Sequence, residues 1–308
     1  MTADRRNAAI GVALTIIGAI AFSAKTVIIK LAYQYDVDVL TLLALRMMFA
    51  LPLFLIMAWW AGGGGAPVSR RDAYTLVGLG FIGYYLGSYL DFAGLQYISA
   101  GLGRLILYLY PTLVLILSAV FLKQPISARH LVSLALSYGG IALALQHEIA
   151  IGEDMSRMAL GSLLVFGGAV CYAVYLITGG GLVQRLGSMR FTAYASIPAS
   201  LFVIAHFMVM RGPARLAVAH EVYFLALIMA VFSTVLPLWL LAEGLKRIGA
   251  NQSSLVACIG PLATIVFAAM FLGEPITSIQ LAGALLVLAG IMIISLKPRG
   301  AAADSVVK

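Results

Sequence analysis

The sequence predicts an all-α membrane protein, with ten transmembrane helices arranged as two inverted-topology five-helix repeats. Three observations carry this. The 308 residues are 62% hydrophobic and only 10% charged, with a mean hydropathy of +1.03. A soluble domain carries about 25% charged residues, so this chain cannot cover a water-facing surface. Apolar runs long enough to span a bilayer recur along the whole chain. The basic residues between those runs fall in every second loop.

The expected spans are 8–32, 39–61, 73–95, 101–122, 128–147, 159–179, 191–210, 222–242, 251–272 and 277–296. Lipid offers the backbone no partners, so long apolar runs pair internally as helices. The first run is too long for a signal-peptide core. Phe22 stands where a small residue would precede cleavage after Ala24, so the run is expected to be retained. The second ends in Trp59-Trp60, a pair suited to the membrane interface. The third carries Gly83 and Gly87 as a small-residue packing motif. The fourth and ninth carry Pro111 and Pro261 at mid-helix, where a missing hydrogen bond permits a bend. Paired bends are expected to act as hinges, with a static kink as the alternative. The two cysteines, Cys171 and Cys258, sit in apolar runs and form neither a metal motif nor an expected disulfide.

Arg5, Arg6, Arg70, Arg71, Lys123, Arg129, Arg185, Arg190, Lys246, Arg247, Lys297, Arg299 and Lys308 belong to one set of alternate loops and tails. The other set holds only Arg157, Arg211 and Arg215, against acids that include Asp36, Asp38, Glu153 and Asp154. The positive-inside rule puts the first set, and with it both termini, in the cytoplasm. An even number of spans is then required. The formal charge of +8 therefore reports orientation and implies no nucleic-acid partner. The expected location is a cell membrane, in bacteria the inner membrane.

The halves align without a gap at a constant shift of 150 residues. Gly11, Gly18 and Ala19 match Gly161, Gly168 and Ala169. Leu90, Gly94, Leu95, Ile98 and Ala100 match Leu240, Gly244, Leu245, Ile248 and Ala250. Pro111 matches Pro261, and Leu122, Pro125 and Ile126 match Leu272, Pro275 and Ile276. Five spans per copy is an odd number, so the second copy enters the membrane from the opposite side. Inverted repeats are a construction of secondary transporters. A duplication without a transport role is the alternative. The expected units are 1–148 and 159–298, each a five-helix repeat, and a cytoplasmic tail at 299–308.

With these residues in view, the chain resembles a ten-helix member of the drug/metabolite transporter superfamily, EamA type. The resemblance rests on Val27-Ile28-Ile29-Lys30-Leu31-Ala32, Arg46, Gly94-Leu95-Gln96-Tyr97-Ile98-Ser99-Ala100 and Pro111. The second copy adds Gly244-Leu245-Lys246-Arg247-Ile248-Gly249-Ala250, Pro261 and Leu272-Gly273-Glu274-Pro275-Ile276. Such families often have an acid after the fourth span; here Lys123-Gln124-Pro125 stands there and only Glu274 is kept. The resemblance implies export or exchange of small metabolites, such as amino acids or related compounds, and does not single out one substrate.

With Arg129 counted to its loop, five charged side chains remain inside the expected spans: Lys25, Lys30, Arg46, Asp91 and Arg104. A charge at the bilayer centre costs about 2.5–3.5 kcal/mol on insertion scales, so each needs a partner, water or a role. Counting from the hairpin turns puts Asp91 and Arg104 level, about 5–6 Å below the outer interface. An ion pair between them is expected. Lys25 and Arg46 come out level at about 10–12 Å, with no acid in either helix. Lys30, near the interface, is expected to snorkel. The second repeat has Tyr175, Ser196, Leu241 and Ser254 in place of Lys25, Arg46, Asp91 and Arg104. A charge required by the shared frame would appear twice; a charge required by an asymmetric solute appears once. Lys25 and Arg46 are therefore expected to bind an anionic group, a carboxylate by preference.

Tyr84 and Tyr108 extend that face toward the midplane. The second repeat contributes Tyr172, Tyr175, Trp239, Ser253 and Ser254 by position. The expected substrate set is thus Lys25, Arg46, Asp91, Arg104, Tyr84, Tyr108, Tyr175, Trp239 and Ser254, with Pro111 and Pro261 as hinges. Two other function classes find less support. An intramembrane enzyme lacks a template: His147-Glu148 and His220-Glu221 are not followed by the second His of a zinc protease, and no Gly-x-Ser-x-Gly occurs. A channel would need charged rings or carbonyl filters. The expectation is a carrier working by alternating access on a small-molecule substrate, with no cofactor, metal or catalytic residue. No ATP-binding loop is present, so a proton or counter-solute would couple transport, Asp91 and Glu243 being weak candidates for the proton.

Overall fold

The computed structural model describes residues 3–62, 67–121, 123, 126–150, 154–257 and 259–295. Among these, every regular element is a helix. The α-helices are α1 (Ala3–Tyr33), α2 (Val39–Gly62), α3 (Arg70–Leu79), α4 (Gly87–Gly94), α5 (Ala100–Leu107), α6 (Tyr110–Phe121) and α7 (Ala128–Ala150). They continue as α8 (Met155–Leu186), α9 (Ser188–Met210), α10 (His220–Ala230), α11 (Leu236–Ala257), α12 (Gly260–Leu272) and α13 (Ser278–Ser295). Two π-helical segments, Gly80–Leu86 and Val231–Val235, join α3 to α4 and α10 to α11 without a break. Seven helical stretches among the described residues are long and apolar enough to cross a membrane, one of them being α5 and α6 taken together, and Gly260–Leu272 and Ser278–Ile293 are shorter apolar helices.

The helix starts follow from side chains that take up exposed backbone N–H groups. Asp38 accepts from the N–H groups of Leu40 and Thr41 at 3.1 and 3.2 Å and from the Thr41 hydroxyl at 2.6 Å. Partial burial would raise its carboxyl, but these bonds and the Arg211 guanidinium 3.4 Å away hold it below the usual carboxylate range. Ser69 and Asp72 form a reciprocal capping box at α3. The hydrogen bonds from Ser69, with Arg185 from the end of α8 paired to the same carboxylate, hold Asp72 below its ordinary value. Asp154 caps α8 through the Ser156 N–H at 2.9 Å.

The helix ends depart from the expected spans in three places. The glycine run 179–181 stays helical, and α8 continues to Leu186. The expected loop 243–250 is helical, and α11 runs through it to Ala257. The expected spans 101–122 and 251–272 are not continuous helices: each is divided just before its proline.

Packing between the halves is reciprocal. α1 lies along α11 and α12, while its counterpart α8 lies along α4, α5 and α6. α2 packs on its own counterpart α9, and α7 on its counterpart α13. The tightest approaches use matched glycines. A Cβ at Gly161 would stand 2.7 Å from the Tyr97 Cβ and 2.9 Å from the Gly94 carbonyl oxygen. Shifted by one repeat, a Cβ at Gly11 would stand 2.8 Å from the Arg247 Cβ, and one at Gly244 3.1 Å from the Gly11 oxygen. Where the helices on both sides are apolar, small residues gain stability by letting backbones approach. Two large buried clusters flank the centre. One joins α1, α2, α4, α9 and α10; the other joins α5, α6, α7, α8, α12 and α13.

Two outcomes test this frame. Gly161→Leu forces side chain into backbone and should cost about 1–3 kcal/mol, read as a lower thermal midpoint in detergent. Gly139→Ala, which meets nothing within 4 Å, should leave the midpoint unchanged or raise it by up to about 1 kcal/mol. Asp72 has a folded pKa below its unfolded one. Its contribution should be complete above about pH 4 and fade as pH falls through the lower folded value. Asp72→Asn should flatten that acid limb of the midpoint-versus-pH curve.

Candidate functional site

The centre of the molecule is built from interruptions in helices. Proline at position i cannot donate to the carbonyl at i−4 and its ring crowds it. For Pro111 that carbonyl belongs to Leu107, the last residue of α5; for Pro261 it belongs to Ala257, the last residue of α11. Both helices therefore stop, and new ones begin at Tyr110 and Gly260. The prolines open the second half-helix instead of bending one continuous helix, which corrects the mid-helix expectation. Tyr108, in the first break, donates its hydroxyl to the Ala257 carbonyl at 3.3 Å, so the two breaks are joined. The π segments lie at equivalent places in the two halves and widen the helix by one residue. Thr234 fits that geometry by donating its hydroxyl to the Met229 carbonyl, five residues back, at 2.9 Å.

These elements enclose a cavity of about 160 Å³. Ala19, Phe22 and Lys25 of α1, Arg46 of α2, Tyr84, and Ser88 and Asp91 of α4 line it. So do Arg104 and Leu107 of α5, then Tyr108, Tyr110, Gly168 and Tyr172. Thr234, Leu238, Leu241 and Ala257 complete it. Four of the five expected intramembrane charges meet here. Lys30 does not: its Nζ donates to the Ile98 carbonyl at 2.8 Å, so it ties α1 to the turn between α4 and α5 instead of snorkelling freely.

The pairing differs from the expected one. Asp91 accepts from Lys25 Nζ at 2.8 Å, with both side chains nearly inaccessible. Arg104 does not pair with Asp91. It reaches the hydroxyls of Ser23 and Tyr108 at 3.4 Å and lies over the rings of Phe22 and Tyr108, 4.9 and 4.7 Å from their centroids. Equal depth set Asp91 against its sequence neighbour across the hairpin and left out α1, which packs on α5 and brings Lys25 into the gap. Arg46 donates from Nε to the Thr234 hydroxyl at 3.0 Å and lies over the Phe92 ring. Its Nη1, and the Nε and Nη1 groups of Arg104, have no hydrogen-bond partner among the described residues. Arg46 is 3% exposed and Arg104 1%.

Of the aromatic candidates, Tyr84 and Tyr108 line the cavity. Tyr175 stands one layer behind, stacked 5.9 Å from Tyr172 and edge-on to Tyr84 at 5.1 Å. Trp239 is 41% exposed and points away; its neighbours Leu238 and Leu241 face the cavity instead. The side chain of Ser254 and residue Cys258 lie outside the described residues. Phe22 and Thr234 join the lining without having been expected there. Phe22 was legible, since it sits three residues before Lys25 on one helix face; Thr234 depends on the π segment, which no local pattern announces.

Around this cationic cavity two matched, broken helices, one from each half, meet at the hydrogen bond between Tyr108 and Ala257. The sequence model of the EamA-like transporter family matches residues 9–146 and, a second time, 159–296. The chain belongs to the EamA-like transporter family. It is thus a multi-pass membrane protein of the drug/metabolite transporter superfamily. An uncharacterized transporter of Bacillus subtilis, YcbK, is 31% identical over 284 residues, 90% of each chain. The threonine/homoserine exporter RhtA of Salmonella typhimurium is 28% identical over 205 residues, 65% of each. A solved crystal structure shares the fold at a TM-score of 0.63 and 16% identity, over 92% of this chain and 96% of that one.

The Lys25–Asp91 pair gives a measurable expectation. Asp91→Asn leaves a buried ammonium without its carboxylate and should destabilise the protein by about 3–5 kcal/mol. The double variant Lys25→Met with Asp91→Leu should recover most of that loss. Equal midpoints for the single and double variants would deny the pair its role.

Proposed function

We propose that this EamA-family chain is a secondary transporter, an exporter or exchanger of small carboxylate-bearing metabolites, amino acids among them, that works by alternating access. The observation that carries the reading is the buried central cavity, with Lys25, Arg46 and Arg104 on its wall and Asp91 as the one acid among the described residues that line it. Guanidinium groups offer paired donors that match a carboxylate, and a lysine adds a point charge. The tyrosines beside them suit an apolar body attached to a charged end. The relatives named as transporters, and the threonine/homoserine exporter in particular, support the same class of solute.

In this reading the chain has ten spans in two inverted five-helix repeats, 1–148 and 159–298, followed by a cytoplasmic tail at 299–308. Both termini are cytoplasmic, in bacteria at the inner membrane. The reciprocal contacts of α1 with α11 and of α8 with α4 support it. A pseudo-twofold frame has two nearly equivalent packings, and exchange between them moves the cavity's opening from one side to the other. The breaks before Pro111 and Pro261 are the hinges, because the backbone there is not locked into a continuous helix. Substrate contacts fall to Lys25, Arg46, Asp91, Arg104, Tyr84 and Tyr108. Tyr175 supports Tyr84 from behind, and a proton or counter-solute supplies the energy.

The test is metabolite profiling of cytosol and medium with and without the protein. A small set of carboxylates should shift between compartments. Lys25→Ala should abolish the shift while the protein stays in the membrane. A profile in which only cations or neutral sugars move would remove the carboxylate reading.

A further inference from the structure

Beyond carboxylate recognition as such, and resting on the transport reading above, we propose that the cavity selects solutes carrying two negative charges. Charge balance is the starting point. Three basic side chains and one acid line the cavity. Lys25 and Asp91 hold each other at 2.8 Å, and as a pair they are neutral whichever atom carries the proton. Arg46 and Arg104 remain. A guanidinium does not give up its proton in a protein, so each adds a full positive charge. No other acid among the described residues lines the space.

Local backbone does not offset this surplus. α5 ends where α6 begins, and α11 ends where α12 begins. The partial negative charge of each helix end is met by the partial positive charge of the next helix start. What Arg46 and Arg104 touch instead is neutral: the Thr234 hydroxyl, the Ser23 and Tyr108 hydroxyls, and aromatic faces. Three of their nitrogens are buried with no partner among the described residues. Buried charges persist where they are paired or coordinated, and buried donors where they are bonded. Two uncompensated charges lining one cavity, with three of their nitrogens unbonded, describe a site whose missing partner is anionic and carries charge for both arginines.

The same geometry disfavours a simple zwitterion. Its ammonium group would enter beside two guanidiniums, and Asp91 is already held by Lys25. A monoanion satisfies one arginine and leaves the other. A dicarboxylate or a phosphate monoester satisfies both, and either chemistry meets the requirement.

The experiment uses the full chain in proteoliposomes preloaded with one solute and supplied outside with the same solute carrying a radiolabel. The four probes are threonine, butyrate, succinate and glycerol phosphate, at about pH 7.5, where both dianions are largely ionised. Exchange of succinate, glycerol phosphate or both at least about ten-fold faster than threonine and butyrate is expected, equivalent to about 1.4 kcal/mol of discrimination. The two dianions tell a dicarboxylate site from a phosphate site. Arg104→Gln and Arg46→Gln should each cut dianion exchange by a similar factor or more and shift the preference toward butyrate. Thermal stabilisation by the same probes is read in parallel, so that binding without flux is also scored. Preference for threonine or butyrate overturns the dianion proposal and leaves the carrier standing. Neither exchange nor stabilisation with either dianion, in protein that is monodisperse and folded, also overturns it. The carrier itself is then judged by the metabolite profile.

Discussion

Everything in this molecule depends on helix backbones coming close enough to touch. In water, burial of apolar surface would hold the helices together; between lipid tails that drive is gone, and packing and hydrogen bonds must do it. The matched glycines Gly11, Gly94, Gly161 and Gly244 supply the contact, each admitting the backbone or side chain of its partner helix where a Cβ would collide. Because the four are two positions, each present in both repeats, the contact occurs twice. α1 on α11 and α8 on α4 then set the distance across the centre, and the cavity is the space that these crossings leave open.

A symmetric frame carries an asymmetric lining. The breaks before Pro111 and Pro261 and the π segments at Gly80–Leu86 and Val231–Val235 occur in both halves. Lys25, Arg46, Asp91 and Arg104 occur in one, opposite Tyr175, Ser196, Leu241 and Ser254 in the other. The frame accounts for how the cavity is made. The charges account for its polarity. Keeping the two apart explains why duplication of the fold did not duplicate the chemistry.

Most of the architecture was legible because bilayer physics leaves few options. Long apolar runs become helices, and a gap-free shift of 150 residues relates the halves. The four central charges were legible for the same reason, since an ionisable side chain in an apolar run stands out. Their pairing was not. Depth along a helix can be counted from sequence, but azimuth and the identity of the neighbouring helix cannot, and Lys25 took the place assigned to Arg104. Trp239 failed on azimuth too, pointing outward where Leu238 and Leu241 point in. The π segments escaped because one extra residue per turn rotates every later side chain of the helix without any marker in composition.

Glu274, in the short connection before α13, accepts from the backbone N–H groups of Ala100 and Gly101 at 2.9 and 3.5 Å. It thereby fastens the start of α5 to the second half of the chain. α5 has eight residues, Ala100–Leu107, about 12 Å of stiff rod, and Arg104 rides on its last turn. The corner holding Glu274 and the guanidinium are thus joined by one uninterrupted stretch of helix, so a contact made by the second half of the chain fixes the position of a charge contributed by the first.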